Sequence, residues 1–152
     1  MEEAVAAVVV GVLTVVGTVW VAWWTATTHY YRQRWWERKA QAYSDLVAAL
    51  TTLLQLDLAE HDETLGLALF NDEMKKAMRA KYHQSKEVIE AIGFSEGFLV
   101  NRETALAIRK FRIDLDKFDT ADHLSTVEKN MTATRECIKA VTAQAKIDLK
   151  IS

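Results

Sequence analysis

The chain contains no proline, one cysteine and five glycines in 152 residues. An ordinary chain of this length carries about seven or eight prolines, so a proline-rich linker, a collagen-like chain and a loop-heavy β-fold are disfavoured. One cysteine forms no internal disulfide and no cysteine-rich zinc site, and it suits a reducing compartment. An excess of either charge is also missing. Nineteen Lys and Arg stand against 21 Asp and Glu, for a formal net charge of −2, which excludes a strongly basic nucleic-acid binder on bulk electrostatics. No phosphate loop, dinucleotide fingerprint or hydrolase triad pattern is found.

Charge is distributed unevenly. No charged residue occurs from Ala4 to Thr28, and Ala4 to Trp24 is a nearly unbroken apolar run rich in Val. At ~1.5 Å per helical residue the run spans roughly 31 Å, which matches the hydrocarbon core of a bilayer. A cleaved signal peptide needs a basic n-region and a short apolar region; here Glu2 and Glu3 precede a long one, although Thr25-Ala26-Thr27 passes as a weak cleavage site. All five tryptophans lie between Trp20 and Trp36. Trp20, Trp23 and Trp24 cluster at one end of the run, as an interfacial belt does.

No Lys or Arg precedes the run, whereas Arg32, Arg34, Arg38 and Lys39 follow it. The positive-inside bias then predicts a bacterial inner-membrane protein with its N-terminus outside and its C-terminal part in the cytoplasm. Only about three residues are then expected outside. Within the run, Ala4, Ala7, Gly11, Thr14 and Thr18 recur at alternating spacings of three and four. Small residues let helices approach closely in lipid, and threonine hydroxyls bond across the contact. This face predicts self-association of the anchor, with a pore lined by Thr14 and Thr18 as a narrower version.

A collar of aromatics and cations follows: Tyr30, Tyr31, Arg32, Arg34, Trp35, Trp36, Arg38 and Lys39. On a straight helix Trp36 stands ~18 Å beyond Trp24, past the headgroup layer. Either the chain bends at the helix-poor Thr25–Thr28 and lies along the interface, or these tryptophans pack on protein. Basic residues beside a span attract anionic lipid at about 1 kcal/mol each. The same residues suit base stacking between arginines, but their position beside the span favours lipid or packing, and no nucleic-acid partner is expected.

The string Trp35-Trp36-Glu37-Arg38-Lys39-x-x-Ala42-Tyr43-x-x-Leu46 resembles a family of small bacterial membrane proteins, as do Phe98-Leu99-Val100-Asn101 and Ala145-Lys146-Ile147-Asp148-Leu149. The resemblance implies one N-terminal span and a helical cytoplasmic domain. The family has no assigned biochemistry, so it lends no functional residue.

Residues 40–152 carry helical periodicity nearly throughout. The implied organisation is an anchor at 1–28, a collar at 29–39 and a bundle at 40–152. Trp36, Ala40, Tyr43, Val47, Leu50 and Leu54 form a first stripe, widened by Leu46 and Leu53. Phe70, Met74, Ala77, Lys81, Ser85, Val88 and Ile92 form a weaker second one, with Met78 and Ile89 beside it and Asn71 as a start signal. Gly93 before Phe94 reads as a left-handed glycine ending that helix. Asn101 caps a third stripe of Thr104, Ile108, Phe111, Leu115 and Phe118, with Glu103 in its first turn. Leu124, Val127, Met131, Thr134, Ile138, Val141, Ala145 and Leu149 form the longest stripe, its helix starting either at a capping box of Ser125 and Glu128 or earlier, at Asp122. These stripes predict an all-α protein, an antiparallel bundle of about four helices behind a transmembrane helix. The last stripe, near-heptad, suits either an intrachain core or coiled-coil pairing between chains.

Chemistry is sparse. Gly93-Phe94-Ser95-Glu96-Gly97 matches G-x-S-x-G literally, but that motif works on a strand–turn–helix elbow, and an inter-helix loop explains both glycines. A di-metal carboxylate bundle needs Glu-x-x-His pairs, and none of His29, His61, His83 or His123 has Glu three residues earlier. The pairs His83/Glu87 and Asp57/His61 read as surface pairs on polar faces. Cys137, beside Ile138, reads as a small semi-buried residue without the electropositive setting of a reactive thiol. No catalytic residue, cofactor, metal or small-molecule substrate is therefore expected. The expected function is self-assembly or partner binding at the membrane, and the alternative is a pore-forming effector of toxin or antiphage-defence type.

Overall fold

The computed structural model describes residues 2–95, 98–116 and 123–150, with side chains from residue 33 onward in those ranges and at Trp23, Trp24 and Tyr30. These residues form four helices and no strand: α1 (Glu2–Thr64), α2 (Asp72–Gly93), α3 (Arg102–Leu115) and α4 (His123–Asp148). The fold is all-α. The chain divides into two compact units, Met1–Glu37 and Arg38–Ser152. Among the described residues no helix is long and apolar enough to cross a membrane. The run 4–24 on which a span is read lies outside the described side chains, apart from Trp23 and Trp24. Helix α1 is assigned through residues 25–28 without interruption.

In the second unit, helix ends follow local chemistry. Asn71 and Asn101 stand in extended backbone ahead of α2 and α3, and each side chain accepts a hydrogen bond from the backbone N–H three residues on, at Met74 and Thr104 (2.8 Å each). Each cap satisfies a donor that the first turn leaves unpaired. Asp72, Glu73 and Glu103 add negative charge near the positive ends of the helix dipoles. Helix α1 closes on Gly66, whose φ of 72° few other residues adopt. Gly66 N–H bonds to Glu63 and Leu67 N–H to Asp62, the paired bonds of a Schellman ending.

Ion pairs and hydrogen bonds fix the helix directions. Lys39 meets Asp148 at 2.8 Å and Glu60 meets His123 at 3.2 Å, so α1 and α4 are antiparallel. Asn101 Nδ2 donates to Gln144 (3.2 Å) and Lys110 Nζ to Glu136 (3.3 Å), so α3 and α4 are antiparallel as well. Helix α2 runs back along α1, with Lys75 on Glu63 at 2.7 Å. The core takes Leu46, Leu50 and Leu53 from α1, Ile89 and Ile92 from α2, Ile108, Phe111 and Leu115 from α3, and Cys137 and Val141 from α4, together with Val100.

The buried registers differ from the sequence reading in three places. The inward line of α1 is Tyr43, Leu46, Leu50, Leu53 and Asp57, with Ala40 exposed and Val47 and Leu54 at its border. On α2 the inward line is Met78, Tyr82, Ser85, Ile89 and Ile92. Lys81, Met74 and Ala77 are exposed, because a lysine head keeps its water and Tyr82 supplies the apolar area one position on. On α4, Val127, Met131, Thr134 and Val141 are buried as read, and Cys137 is fully buried rather than semi-buried. That stripe lies inside the chain's own bundle, not on a surface available to another chain.

One helix boundary is corrected and another is narrowed. Gly93 is not a left-handed cap. It is helical, and the cap is Phe94 at φ −75°. Glycine fits closely there, since a Cβ would stand 3.0 Å from Ile108 Cγ2 and the isoleucine would have to shift by a few tenths of an ångström. Ser125 sits inside α4, which is described from His123 onward, so of the two starts read for this helix the capping box at Ser125 is not formed. Phe118 and the turn read at 120–122 lie outside the described residues.

Candidate functional site

In the first unit, Trp23, Trp24 and Tyr30 are exposed, and Trp35 and Trp36 are half-buried. The Arg34 guanidinium lies over the Tyr30 ring at 4.9 Å, within cation–π range. Gln33 donates to Glu37 one turn on (3.1 Å). Trp20, Tyr31 and Arg32 of the interface set lie outside the described side chains. So does the whole small-residue face, Ala4, Ala7, Gly11, Thr14 and Thr18.

At the end of the bundle where the chain enters, Tyr43 is 2% exposed and holds three partners. Its hydroxyl donates to Asp148 Oδ2 at 2.7 Å, lies 3.2 Å from Thr104 Oγ1 and accepts from Asn101 N–H at 3.4 Å. Burial raises the pKa of this phenol. The other oxygen of Asp148 holds Lys39 Nζ. Lys39, expected to face lipid, is thus a buried-edge cation that ties the start of the bundle to its last helix; Arg38 is exposed.

At the far end the bundle is open. A cleft of about 400 Å³ lies between α1, α2 and α4, with Asp57, Glu60, Tyr82 and Val127 among its walls. Asp57 is 5% exposed. Burial, then the charge of Glu60, push its carboxyl up to about 7, against an opposing hydrogen bond from Thr134. Thr134 also donates to the Asn130 carbonyl at 2.8 Å. One hydroxyl proton serves only one acceptor, so a neutral Asp57 that donates to Thr134 completes the chain of bonds. Burial and the Asp57 charge raise the Tyr82 phenol. Around the cleft, Glu63 pairs with Lys75 at 2.7 Å and Glu60 lies 3.2 Å from His123, while His61 lies 3.8 Å from Glu128 of α4. Asp57 and His61 are therefore not a surface pair on one polar face. Asp57 points inward, and His61 is drawn to α4. The signal for this was in the spacing, since Asp57 continues the 43–46–50–53 series by four.

Neither of the other chemical features builds a reactive group. Ser95 Oγ donates to the Ile92 carbonyl at 2.6 Å, closing the end of α2, in a turn between helices. Glu96 and Gly97 of the G-x-S-x-G string lie outside the described residues. Cys137 contacts the Ala107 carbonyl at 3.9 Å, and burial pushes its thiol up to about 12, the reverse of an activated cysteine. Among the described residues no group of three or more His, Cys, Asp or Glu is placed to hold a metal ion.

A second concavity of about 300 Å³ runs between α2 and α3, with Glu90 and Phe94 on one wall and Leu106, Arg109 and Arg112 on the other. Sequence reading missed it, because each residue sits outside the inward stripes. No protein family, curated protein or solved structure matches this chain.

Proposed function

We propose that this is a non-enzymatic, single-pass protein of the bacterial inner membrane whose cytoplasmic helical bundle mediates self-assembly or partner binding. The observation that carries it is the uncharged run from Ala4 to Trp24 ending in tryptophans, with Arg32, Arg34 and Arg38 behind it. The bundle supports the interaction role. Phe94 and Leu106 are exposed at 78 and 47% and line one concavity, an apolar surface that a partner can cover.

Two measurements test it. A reporter fused at Ser152 is expected in the cytoplasm of cells whose membranes retain the chain; a periplasmic signal, or release of the mature chain from the membrane, overturns the topology. Mass measurement in detergent is expected to give an oligomer or a defined complex. Depolarisation of expressing cells that Thr14→Val with Thr18→Val abolishes would replace assembly with a pore.

A further inference from the structure

We propose that the α2/α3 groove is the face through which a second copy of this chain binds, as a two-fold dimer whose axis runs parallel to the groove. The proposal deepens the self-assembly reading and rests on it. The α4 stripe, which sequence periodicity offers as a pairing surface, is buried in the chain's own core, so association through the bundle needs another face. The groove supplies one with apolar and charged parts divided between its walls. The α2 wall carries Phe94 and Glu90, and the α3 wall carries Leu106, Arg109 and Arg112. Ile113 extends the α3 side two turns beyond Leu106 and is half exposed. None of the ion pairs among the described residues uses Glu90, Arg109 or Arg112.

Symmetry turns this arrangement into self-complementarity. Of the two-fold axes that bring the groove against its own copy, the one parallel to the groove sets opposed charges together, whereas the one across it sets the α2 wall on the α2 wall and the α3 arginines on each other. When the grooves face each other about that axis, the α2 wall of one copy meets the α3 wall of the other, twice. Glu90 then meets Arg109 and Arg112 of the second copy, because these three residues line the same short groove and stand at similar levels. Phe94 meets Leu106 in the same way. A two-fold contact uses one patch on both partners and closes at two. Opposed charge sets its register, and the aromatic and leucine pairs supply apolar burial.

The test uses the full chain in detergent micelles, with association measured by dilution. Wild type is expected to dimerise and to weaken as salt is raised. Glu90→Arg alone, and Arg109→Glu with Arg112→Glu alone, are each expected to weaken the dimer about tenfold or more. An equimolar mixture of the two variants restores both charge pairings and is expected to recover wild-type affinity. A monomeric wild type removes both the self-assembly reading and this face. A dimer indifferent to both reversals leaves self-assembly standing and removes the face. Weakening by each reversal without recovery in the mixture removes the α2-to-α3 pairing. Helix content is followed in every sample, and separately tagged chains carrying Glu90→Cys and Arg109→Cys give an independent readout. A disulfide between the two tags supports the pairing, and its absence under oxidation counts against it.

Discussion

Tyr43 and Asp57 stand on the same inward line of α1, about 21 Å apart along the helix, and the bundle treats them differently. At Tyr43 it closes. One phenol is held by Asp148, Thr104 and Asn101, and Lys39 neutralises the carboxylate behind it. At Asp57 it stays open, with a carboxyl in low dielectric, an acidic neighbour at Glu60 and a cleft beside it. Both are polar groups in apolar register. A buried polar group is cheap when every lone pair and proton has a partner and costly when a charge is left without one. The closed end is therefore a clamp, and the open end is where the fold gives up stability.

Breaking the stripe midway between them should give the largest effect. Leu50 is fully buried, so Leu50→Ala is expected to cost about 3–5 kcal/mol in urea unfolding, with both ends lost together if the bundle is one cooperative unit.

Asp57→Asn should act in the opposite direction. A carboxyl raised in the folded state to about 7 is protonated there while the unfolded chain has already ionised. Its contribution is whole below about pH 4, falls as pH rises to about 7, and stays constant above. Asp57→Asn is thus expected to stabilise the fold by about 1–3 kcal/mol at pH 8 and to flatten the pH 4–7 decline. A variant less stable than wild type at pH 8 would show the cleft to be a satisfied site.

Tyr43→Phe removes the hydroxyl at the clamp and leaves Asp148 with Lys39. The expected cost is about 1–2 kcal/mol, insensitive to pH between 5 and 8. The smallest effect is a rate. Cys137 is buried with its thiol pushed up to about 12, so a thiol reagent is expected to label it only as the bundle opens. Labelling at pH 8 should be slower in Asp57→Asn than in wild type and faster in Tyr43→Phe.

The second unit was legible where local chemistry decides. Asn71 and Asn101 announce their helices, since a cap needs only an acceptor and a free N–H three residues on. The leucines of α1 and the aliphatics of α3 carry a period that only a bundle buries. Legibility failed where a tertiary neighbour decides. Gly93 looked like a turn residue and serves as a bare surface for Ile108; Lys39 looked like a membrane cation and is a ligand for Asp148; Asp57 looked polar and therefore external. The α2/α3 groove could not be read, because its walls come from helices that are neighbours only in the folded chain.

The approach of Gly93 to Ile108 couples the history of two positions. A methyl on the α2 side meets a β-branched methyl on the α3 side at 3.0 Å, and a β-branched side chain has little rotamer freedom to step away. Gly93→Ala gains about 1 kcal/mol in helix propensity and meets this obstruction. Ile108→Leu removes the obstructing branch and leaves a gap beside the glycine. Either change alone is a step away from a matched pair, whereas both together reach a second one, so these sites are expected to drift in tandem among descendants of this chain.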